Sequence, residues 1–273
     1  MFGFFFKKNV CDIWDNFFYV VVCNIFSIIA TFVSGFLFNL ILMIASERKF
    51  KVLYIFIVVI FGCFLLSLVY FSNGKSAFRI ANFDVPRYSD FFLGFQDSIF
   101  DAALLGFLEG ILIYTTIVSL PYYCLKWAET KNLLQAIFAS AIFWFLFATL
   151  FALQWFLGFR IILGNGFFKS LKKSYILLLD NLGFSLFLFL VNIANILLSI
   201  LTFGLFPGLA GIAVTNVNAF RLLLRKYDWL ETQSAFSTHT SKKIPWADLL
   251  ADDKTAFGNR TVKGLFFPWL DQR

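Results

Sequence analysis

Glu109 is the residue of this sequence whose type and position most strongly suggest chemistry. It stands inside an apolar stretch, about eight residues or roughly 12 Å from one end of a predicted helix. An ionised carboxylate near the middle of a bilayer costs about 2.5 to 3.5 kcal/mol, so it requires a partner. It fits a proton- or cation-linked transport site, or a hydrogen bond that holds helices together within the protein or to a partner subunit.

Two glycines near this carboxylate favour the packing interpretation. Gly106 and Gly110 form a small-xxx-small pattern, which lets another helix backbone approach closely. Transport pathways normally recruit several ionisable groups, whereas Glu109 is the only carboxylate inside a predicted span. We therefore expect Gly106, Glu109 and Gly110 to form a helix-packing or partner contact.

Asparagines are the second polar feature of the apolar stretches. Asn192 and Asn195 lie three residues apart on one helix face, and Asn216 and Asn218 follow in the next stretch. Interhelical hydrogen bonds of such side chains average about 0.6 kcal/mol in membranes, so we expect the amides to fix the packing rather than drive it. The face with Asn192 and Asn195 fits the lining of a polar cavity equally well.

The sequence becomes rich in Ser, Thr, Lys and Asp after Glu231, which predicts a polar tail without a large core. A Pro-Trp-x-Asp motif occurs in it twice. Aromatic anchors beside a proline are typical of docking peptides, and equally of an aromatic belt at lipid headgroups. The predicted docking residues are Pro245, Trp246, Asp248, Phe266, Phe267, Pro268, Trp269 and Asp271.

Metal and cofactor chemistry lacks suitable residues. His239 is the one histidine, and the 4 cysteines show no metal-ligand spacing. Phosphate-binding loops, dinucleotide fingerprints and nucleophile elbows have no match in the sequence. We expect a protein that is not an enzyme, with no catalytic residue, metal, cofactor or nucleic-acid partner.

The helices that must position these residues are predicted from long charge-free runs of the sequence. Asp15 is followed by 31 residues without a formal charge, and 60% of the chain is apolar against 14% charged, with a mean hydropathy of +0.81. Apolar helices of about 20 residues cross the hydrocarbon core of a bilayer, so we expect an all-α, polytopic integral membrane protein. About six spans are predicted, near residues 17–45, 52–71, 102–125, 133–159, 182–203 and 208–224. The sequence Gly204-Leu205-Phe206-Pro207-Gly208 predicts a tight turn between the last two.

Basic residues predict the orientation of the chain. On alternate sides of the six spans, 18 Lys and Arg residues lie on the side of both termini and 5 on the other. The positive-inside rule then places both termini in the cytoplasm. The predicted domains are an N-terminal interfacial helix (1–16), a six-helix transmembrane domain (17–227) and a cytoplasmic docking tail (228–273).

Amphipathic segments precede three predicted hairpins. In the first, the apolar and charged faces consist respectively of Phe6, Val10, Ile13 and Trp14, and of Lys7, Lys8, Asp12 and Asp15. Phe pairs at 5–6, 91–92 and 167–168 align the three segments and suggest an internal triplication of one interfacial helix plus one hairpin. The alternative is no repeat, because 41 Phe residues produce such pairs by chance.

Two regions carry a family resemblance. The region from Cys11 to Ile44, where Asp12-Ile13 lead to Asn16 and Gly35 lies in the first span, resembles the YesL-like family of small bacterial membrane proteins. So do the later stretches FFKSLKKSYILLLDNLGFSLFLFL and LFPGLAGIAVTNVNAFRLLLRKY. The resemblance implies an association with bacterial carbohydrate uptake beside ABC-type sugar importers, and it carries over no functional site.

These observations together predict a non-enzymatic accessory or scaffold subunit of a bacterial inner-membrane assembly, with an ABC-type carbohydrate importer as the candidate. The predicted partners are membrane lipids and other membrane-protein subunits, including ABC transporter permeases. The competing class is an independent secondary transporter that uses Glu109 and the intramembrane asparagines.

Overall fold

The computed structural model describes residues 1–44, 51–236, 244–258, 260 and 264, and within these residues the chain is helical without strands. A π-helical turn, Thr115–Ser119, joins the fifth helix to the sixth. The helices are α1 (Phe2–Asp15), α2 (Phe17–Ile44), α3 (Lys51–Ala81), α4 (Tyr88–Asp97), α5 (Ile99–Tyr114), α6 (Leu120–Thr130), α7 (Leu133–Ile161), α8 (Phe167–Asp180), α9 (Leu182–Leu201), α10 (Gly208–Phe236), α11 (Trp246–Leu249) and α12 (Ala251–Phe257).

Helices of membrane-spanning length and composition confirm the all-α class and indicate a multi-pass membrane protein. In the described part of the chain there are five, namely Phe17–Ile44, Leu53–Ala81, Ile99–Thr130, Leu133–Ile161 and Leu182–Leu201. The predicted sixth span, 208–224, lies within α10, which is not among the five. The turn before it is confirmed, since Gly204 and Gly208 adopt φ angles of +84° and +57° that favour glycine.

Single-residue elbows join an amphipathic helix to the long helix that follows it. Asn16 joins α1 to α2, Ser98 joins α4 to α5, and Asn181 joins α8 to α9. At each elbow the carbonyl of the joining residue accepts a hydrogen bond of 2.8 or 2.9 Å from the N–H four residues later. The side chains of Asn16 and Asn181 also donate to the carbonyl four residues earlier. An asparagine side chain thus satisfies a backbone carbonyl at two of the three elbows.

Each elbow belongs to one unit of the fold: α1–α3, α4–α7 or α8–α10. The amphipathic helix of each unit packs on the last long helix of the preceding unit, α4 on α3, α8 on α7, and α1 on α10. The first long helices follow the same rule, with α5 on α3, α9 on α7, and α2 on α10. The third unit therefore closes onto the first, and the three units form a ring whose order agrees with the predicted triplication.

The Phe pairs occupy the same helix face in the three units, but not the same position. The first ring of each pair is buried and the second is exposed: Phe5, Phe91 and Phe167 against Phe6, Phe92 and Phe168. Phe5 lies 11 residues before its elbow, Phe91 lies 7 and Phe167 lies 14, which is about three, two and four helical turns. An alignment on the Phe pairs is therefore out of register with the elbows.

Helix α10 lies at the centre of the ring. All its residues from 213 to 220 are buried, because α1, α2, α3, α7 and α9 pack against it. Thr215, Asn216 and Asn218 lie in this stretch. A helix that protein covers on every side needs no lipid-compatible face, so it carries amides that a lipid-facing helix would leave unsatisfied.

The hairpin of the second unit projects from the ring. Within the described segment 113–145 no residue is buried, and the outer part of this segment consists of α6 packed on α7. We call residues 113–145 the arm. Pro121 is the second residue after its π-helical turn. It has no N–H to bond to the preceding turn of helix, which the wider π-helical turn accommodates.

Candidate functional site

A polar network joins α10 to two neighbouring helices. Asn192 on α9 donates a hydrogen bond to Asn216 at 2.8 Å, and Asn216 donates to the Tyr70 hydroxyl on α3, also at 2.8 Å. Asn195 donates to Thr215 at 2.9 Å. The face of α9 that carries Asn192 and Asn195 is therefore bonded to α10, where both residues are buried.

The network continues into α1. Asn9 donates to the Thr215 hydroxyl at 3.0 Å, and Asn218 donates to the Asp12 carboxylate at 2.9 Å. Asp12 also forms an ion pair with Lys8, one helical turn away. Two asparagines of the predicted set, Asn216 and Asn218, thus link the hairpin of the third unit to α3 and α1. The other two, Asn192 and Asn195, bond within that hairpin to Asn216 and Thr215.

Helix α1 turns Lys8 and Asp12 of its charged face towards the protein interior. These residues are 2% and 6% exposed, whereas Phe6 and Trp14 of the apolar face are 46% and 40% exposed. The sequence predicted two faces for this helix, but the structure buries members of both, since Ile13 of the apolar face is buried as well. The structural reason is α10, whose polar side chains lie beside α1 and pair with its charged side.

Burial acts against both charges of the Lys8–Asp12 pair. Desolvation lowers the pKa of Lys8 and raises the pKa of Asp12, while the attraction between the two groups opposes both shifts. The Phe83 ring lies 4.1 Å from the Lys8 ammonium and stabilises its charge further. Loss of either partner would leave the other buried without a counter-charge.

The tail folds back onto the middle of α10. Asp253 on α12 accepts hydrogen bonds from Arg221 at 3.0 and 3.3 Å and from Arg225 at 2.9 Å, and its side chain is 3% exposed. Leu250 and Phe257 flank Asp253 and are buried. We call α11 and α12 the clamp, because they bind the chain's own surface through one bridging carboxylate and two apolar anchors.

The first predicted docking motif lies in the clamp. Pro245 directly precedes α11, Trp246 packs against the core of the same chain, and Asp248 is exposed. The docking partner that Trp246 meets in the structure is therefore the protein itself. The second motif lies outside the described residues and comprises Phe266, Phe267, Pro268, Trp269 and Asp271.

Glu109 lies at a separate contact, between α5 and α3. The Ser67 hydroxyl donates to its carboxylate at 2.8 Å. A Cβ atom at Gly106 would lie 2.5 Å from the backbone nitrogen of Phe64, and Gly110 faces α3 equally closely. The structure thus brings Gly106, Glu109 and Gly110 against a helix of the same chain.

Several residues of these polar contacts were not predicted from the sequence. The missed residues are Lys8, Asn9, Asp12, Tyr70, Thr215 and Asp253. The spacing of Leu250, Asp253 and Phe257 was a usable signal, because it places all three on one helix face. Lys8 and Asp12 gave no such signal, since an exposed ion pair has the same four-residue spacing.

The arrangement is suited to holding helices together. Hydroxyls, amides and ion pairs link α1, α3, α9, α10 and α12 at one end of the ring. In the part of the chain that the structure describes, no group of three His, Cys, Asp or Glu residues is placed to hold a metal ion.

Comparison with known proteins adds no further identification. No protein-family model, curated protein or solved structure matches this chain. The resemblance to the YesL-like family therefore stays a prediction from the residues quoted above.

Proposed function

We propose that this protein is a non-enzymatic accessory or scaffold subunit of a bacterial inner-membrane assembly, with six spans and both termini in the cytoplasm. The observation that carries the proposal is the arm. Residues 113–145 project from the ring, and none of them is buried in the described protein. A second membrane protein would pack laterally against this exposed surface.

The surface of the arm is large and aromatic. Leu133, Trp144 and Phe145 are each more than half exposed, and Tyr122 and Trp127 are exposed as well. Tyr and Trp are enriched among the residues that dominate binding energy at interfaces. Lipid also suits an apolar hairpin, so the decisive experiment must separate protein contacts from lipid contacts.

The bonding of the polar interior supports a structural role over transport. Each predicted intramembrane polar residue has a side-chain hydrogen bond to another helix: Glu109, Asn192, Asn195, Asn216 and Asn218. A transport site instead presents groups that exchange partners with an ion or substrate. Flux through reconstituted liposomes that Glu109→Gln abolishes would favour the secondary-transporter alternative over this proposal.

The sixth span in this proposal is the first half of α10. Its residues 213–220 carry polar side chains because five helices pack around them and bury them. Arg221, Arg225 and Lys226 follow it and add to the basic excess on the side of both termini. The positive-inside rule assigns that side to the cytoplasm.

The candidate assembly comes from the family resemblance. An ABC-type carbohydrate importer contains permease subunits with transmembrane helices, which the arm would contact within the bilayer. Sugar specificity and ATP hydrolysis would then belong to the other subunits of the importer.

Site-specific photocrosslinking in native membranes tests the proposal. A photoreactive residue at Ile137 or Trp144 probes the arm, while Ile29 and Leu190, which are equally exposed on α2 and α9, serve as matched controls. We expect one protein adduct of defined mass from the arm positions and lipid adducts alone from the controls. Lipid adducts alone from all four positions, together with a lone monomer after gentle solubilisation, would contradict the proposal.

A further inference from the structure

Helix α1 differs from the other amphipathic helices in how the chain connects it to the helix on which it packs. Helices α4 and α8 follow the helices on which they pack, α3 and α7, after the short loops 82–87 and 162–166. Helix α1 packs on α10, and residues 16–207 separate the two in the chain. A short connection keeps two elements at high effective concentration, so α1 lacks an advantage that α4 and α8 have.

The clamp attaches to α10 through charge. Arg221 and Arg225 lie one helical turn apart, and both donate hydrogen bonds to the Asp253 carboxylate. Arg225 also donates to the Leu249 carbonyl at 2.7 Å. Loss of the carboxylate would remove the counter-charge that two partly buried cations share. Asp253 is therefore the residue on which this attachment depends most.

The clamp also attaches to both ends of α1. Near the start of α1, the Phe4 ring meets the Phe257 ring edge-on, and the Lys7 ammonium lies 5.1 Å from the centre of the Phe257 ring. At the end of α1, Asp15 accepts hydrogen bonds of 2.6 and 2.9 Å from Arg260, three residues after α12. The tail segment thus bridges α10 and α1, which no short loop connects.

The bridge is light. Of the described residues 244–258, three are buried, namely Leu250, Asp253 and Phe257. The ion pair of Arg260 with Asp15 is 49% and 34% exposed, and such pairs add little stability. Segments with few buried contacts open locally at low free energy. The clamp is therefore suited to release while the rest of the ring stays folded.

Electrostatic repulsion would favour separation of α1 from α10 once the clamp is released. The Lys8 ammonium on α1 and the Arg221 guanidinium on α10 lie 4.1 and 5.9 Å from the centre of the same Phe83 ring. Their like charges repel each other, whereas the carboxylates of Asp12 and Asp253 attract Lys8. Without Asp253, a single one of these two carboxylates would offset both cations.

We propose that the clamp is a releasable latch that holds α1 on α10, and that its release frees α1 from the ring. With the clamp bound, the inner face of α1 is buried, and so is Ile13 at 5% exposed. With the clamp released, α1 separates from α10, and Lys8, Arg221 and Arg225 become accessible together. The position of the tail thereby controls the exposure of a cationic surface at this end of the ring.

Thiol labelling at matched positions tests the proposal. Ile13→Cys places a reporter on α1 beside Gly211 of α10. Leu178→Cys is the matched control on α8, because each residue lies three positions before its elbow and the two are 5% and 4% exposed. The full chain is purified in mild detergent, and mass spectrometry follows the N-ethylmaleimide adduct at each cysteine over time. The exposed native Cys124 shows that the reagent is active.

We expect Asp253→Ala to raise the labelling rate of Ile13→Cys by at least about tenfold, the factor for one charge-assisted hydrogen bond, and to leave Leu178→Cys unchanged. Asp252→Ala removes the exposed neighbouring carboxylate and should change neither rate. Phe257→Ala removes an apolar anchor of the clamp without changing a charge, and it should also raise the rate of Ile13→Cys alone.

Two results would overturn the proposal. One is an Ile13→Cys rate that neither Asp253→Ala nor Phe257→Ala raises. The other is an equal increase at Ile13→Cys and Leu178→Cys, because a general loosening of the fold affects both helices. If Asp253→Ala does not yield folded protein, Phe257→Ala decides by the same two criteria. None of these positions lies in the arm, so the latch and the accessory-subunit function are tested separately.

Discussion

Helix α10 and the arm differ in both burial and polarity, and the two differences are linked. Residues 213–220 of α10 are all buried and include Thr215, Asn216 and Asn218, whereas the described arm residues 113–145 are all at least partly exposed and largely apolar. In a soluble protein the buried helix would be the apolar one. In a bilayer, lipid solvates apolar side chains, and only the protein interior offers partners to amides and charges.

The largest effect should come from removing one charge of the buried pair beside α10. Asp12→Ala leaves Lys8 buried without its counter-ion, so we expect a loss of about 3 to 5 kcal/mol in the free energy of unfolding. Chemical unfolding of the detergent-solubilised protein measures it. The double variant Lys8→Met/Asp12→Leu removes both charges and should recover most of the loss. A double variant as unstable as the single one would mean that the charges are not coupled.

The second-largest loss of stability should come from disturbing the close contact of α5 with α3 at Gly106. Gly106→Leu forces a side chain against the α3 backbone, where even a Cβ would lie 2.5 Å from the Phe64 nitrogen. Overpacking of this kind costs about 1 to 3 kcal/mol. The same unfolding assay applies, with Gly183→Leu as the control that adds equal volume in open space. Equal stability of the two variants would argue against close packing of α5 on α3.

A smaller effect is expected within the amide network. Asn216→Leu removes the bonds to Asn192 and Tyr70, and interhelical bonds of this kind are worth about 0.6 kcal/mol on average and at most about 1.7 kcal/mol. We therefore expect a loss of about 1 kcal/mol. In a double-mutant cycle, Asn192→Leu should cost less in the Asn216→Leu background than in wild type. Strict additivity would show that the two amides do not interact.

The smallest effect should come from the arm. Trp144→Ala removes a large ring that is 61% exposed, so the free energy of unfolding should change by no more than about 0.5 kcal/mol. Phe156→Ala, at a ring that is 1% exposed in the core, is the contrasting variant and should cost about 3 to 5 kcal/mol. A large effect at Trp144 would mean that the arm packs on the protein. That result would contradict the difference in burial between the arm and α10.

Parts of the fold followed from local signals. The charge-free runs located the long helices, and Gly204 with Gly208 located the turn before α10, because runs and turns depend on neighbouring residues alone. Glu109 and Gly106 were singled out for the same reason, as exceptions within an apolar run. The contact of Glu109 with Ser67 depends on how α3 and α5 meet, which no local pattern encodes.

Other parts could not be read from local signals. The amphipathic pattern of α1 identified two faces, but Lys8 and Asp12 of the charged face are buried, because Asn218 of α10 lies beside Asp12 and donates a hydrogen bond to it. The tail pattern predicts docking to a partner or contact with lipid headgroups, whereas in the structure Trp246 and Asp253 contact the same chain. In both cases the decisive partner is more than twenty residues away in the sequence.

The amino-acid sequence by itself determined an all-α class with several helices of membrane-spanning length and composition, because helix length and apolarity are local properties. The tertiary structure decided which helix lies at the centre, which face of α1 turns inward and where the tail binds. Those outcomes depend on pairing polar groups from distant segments, since a buried amide or charge is stable only where the fold brings it a partner.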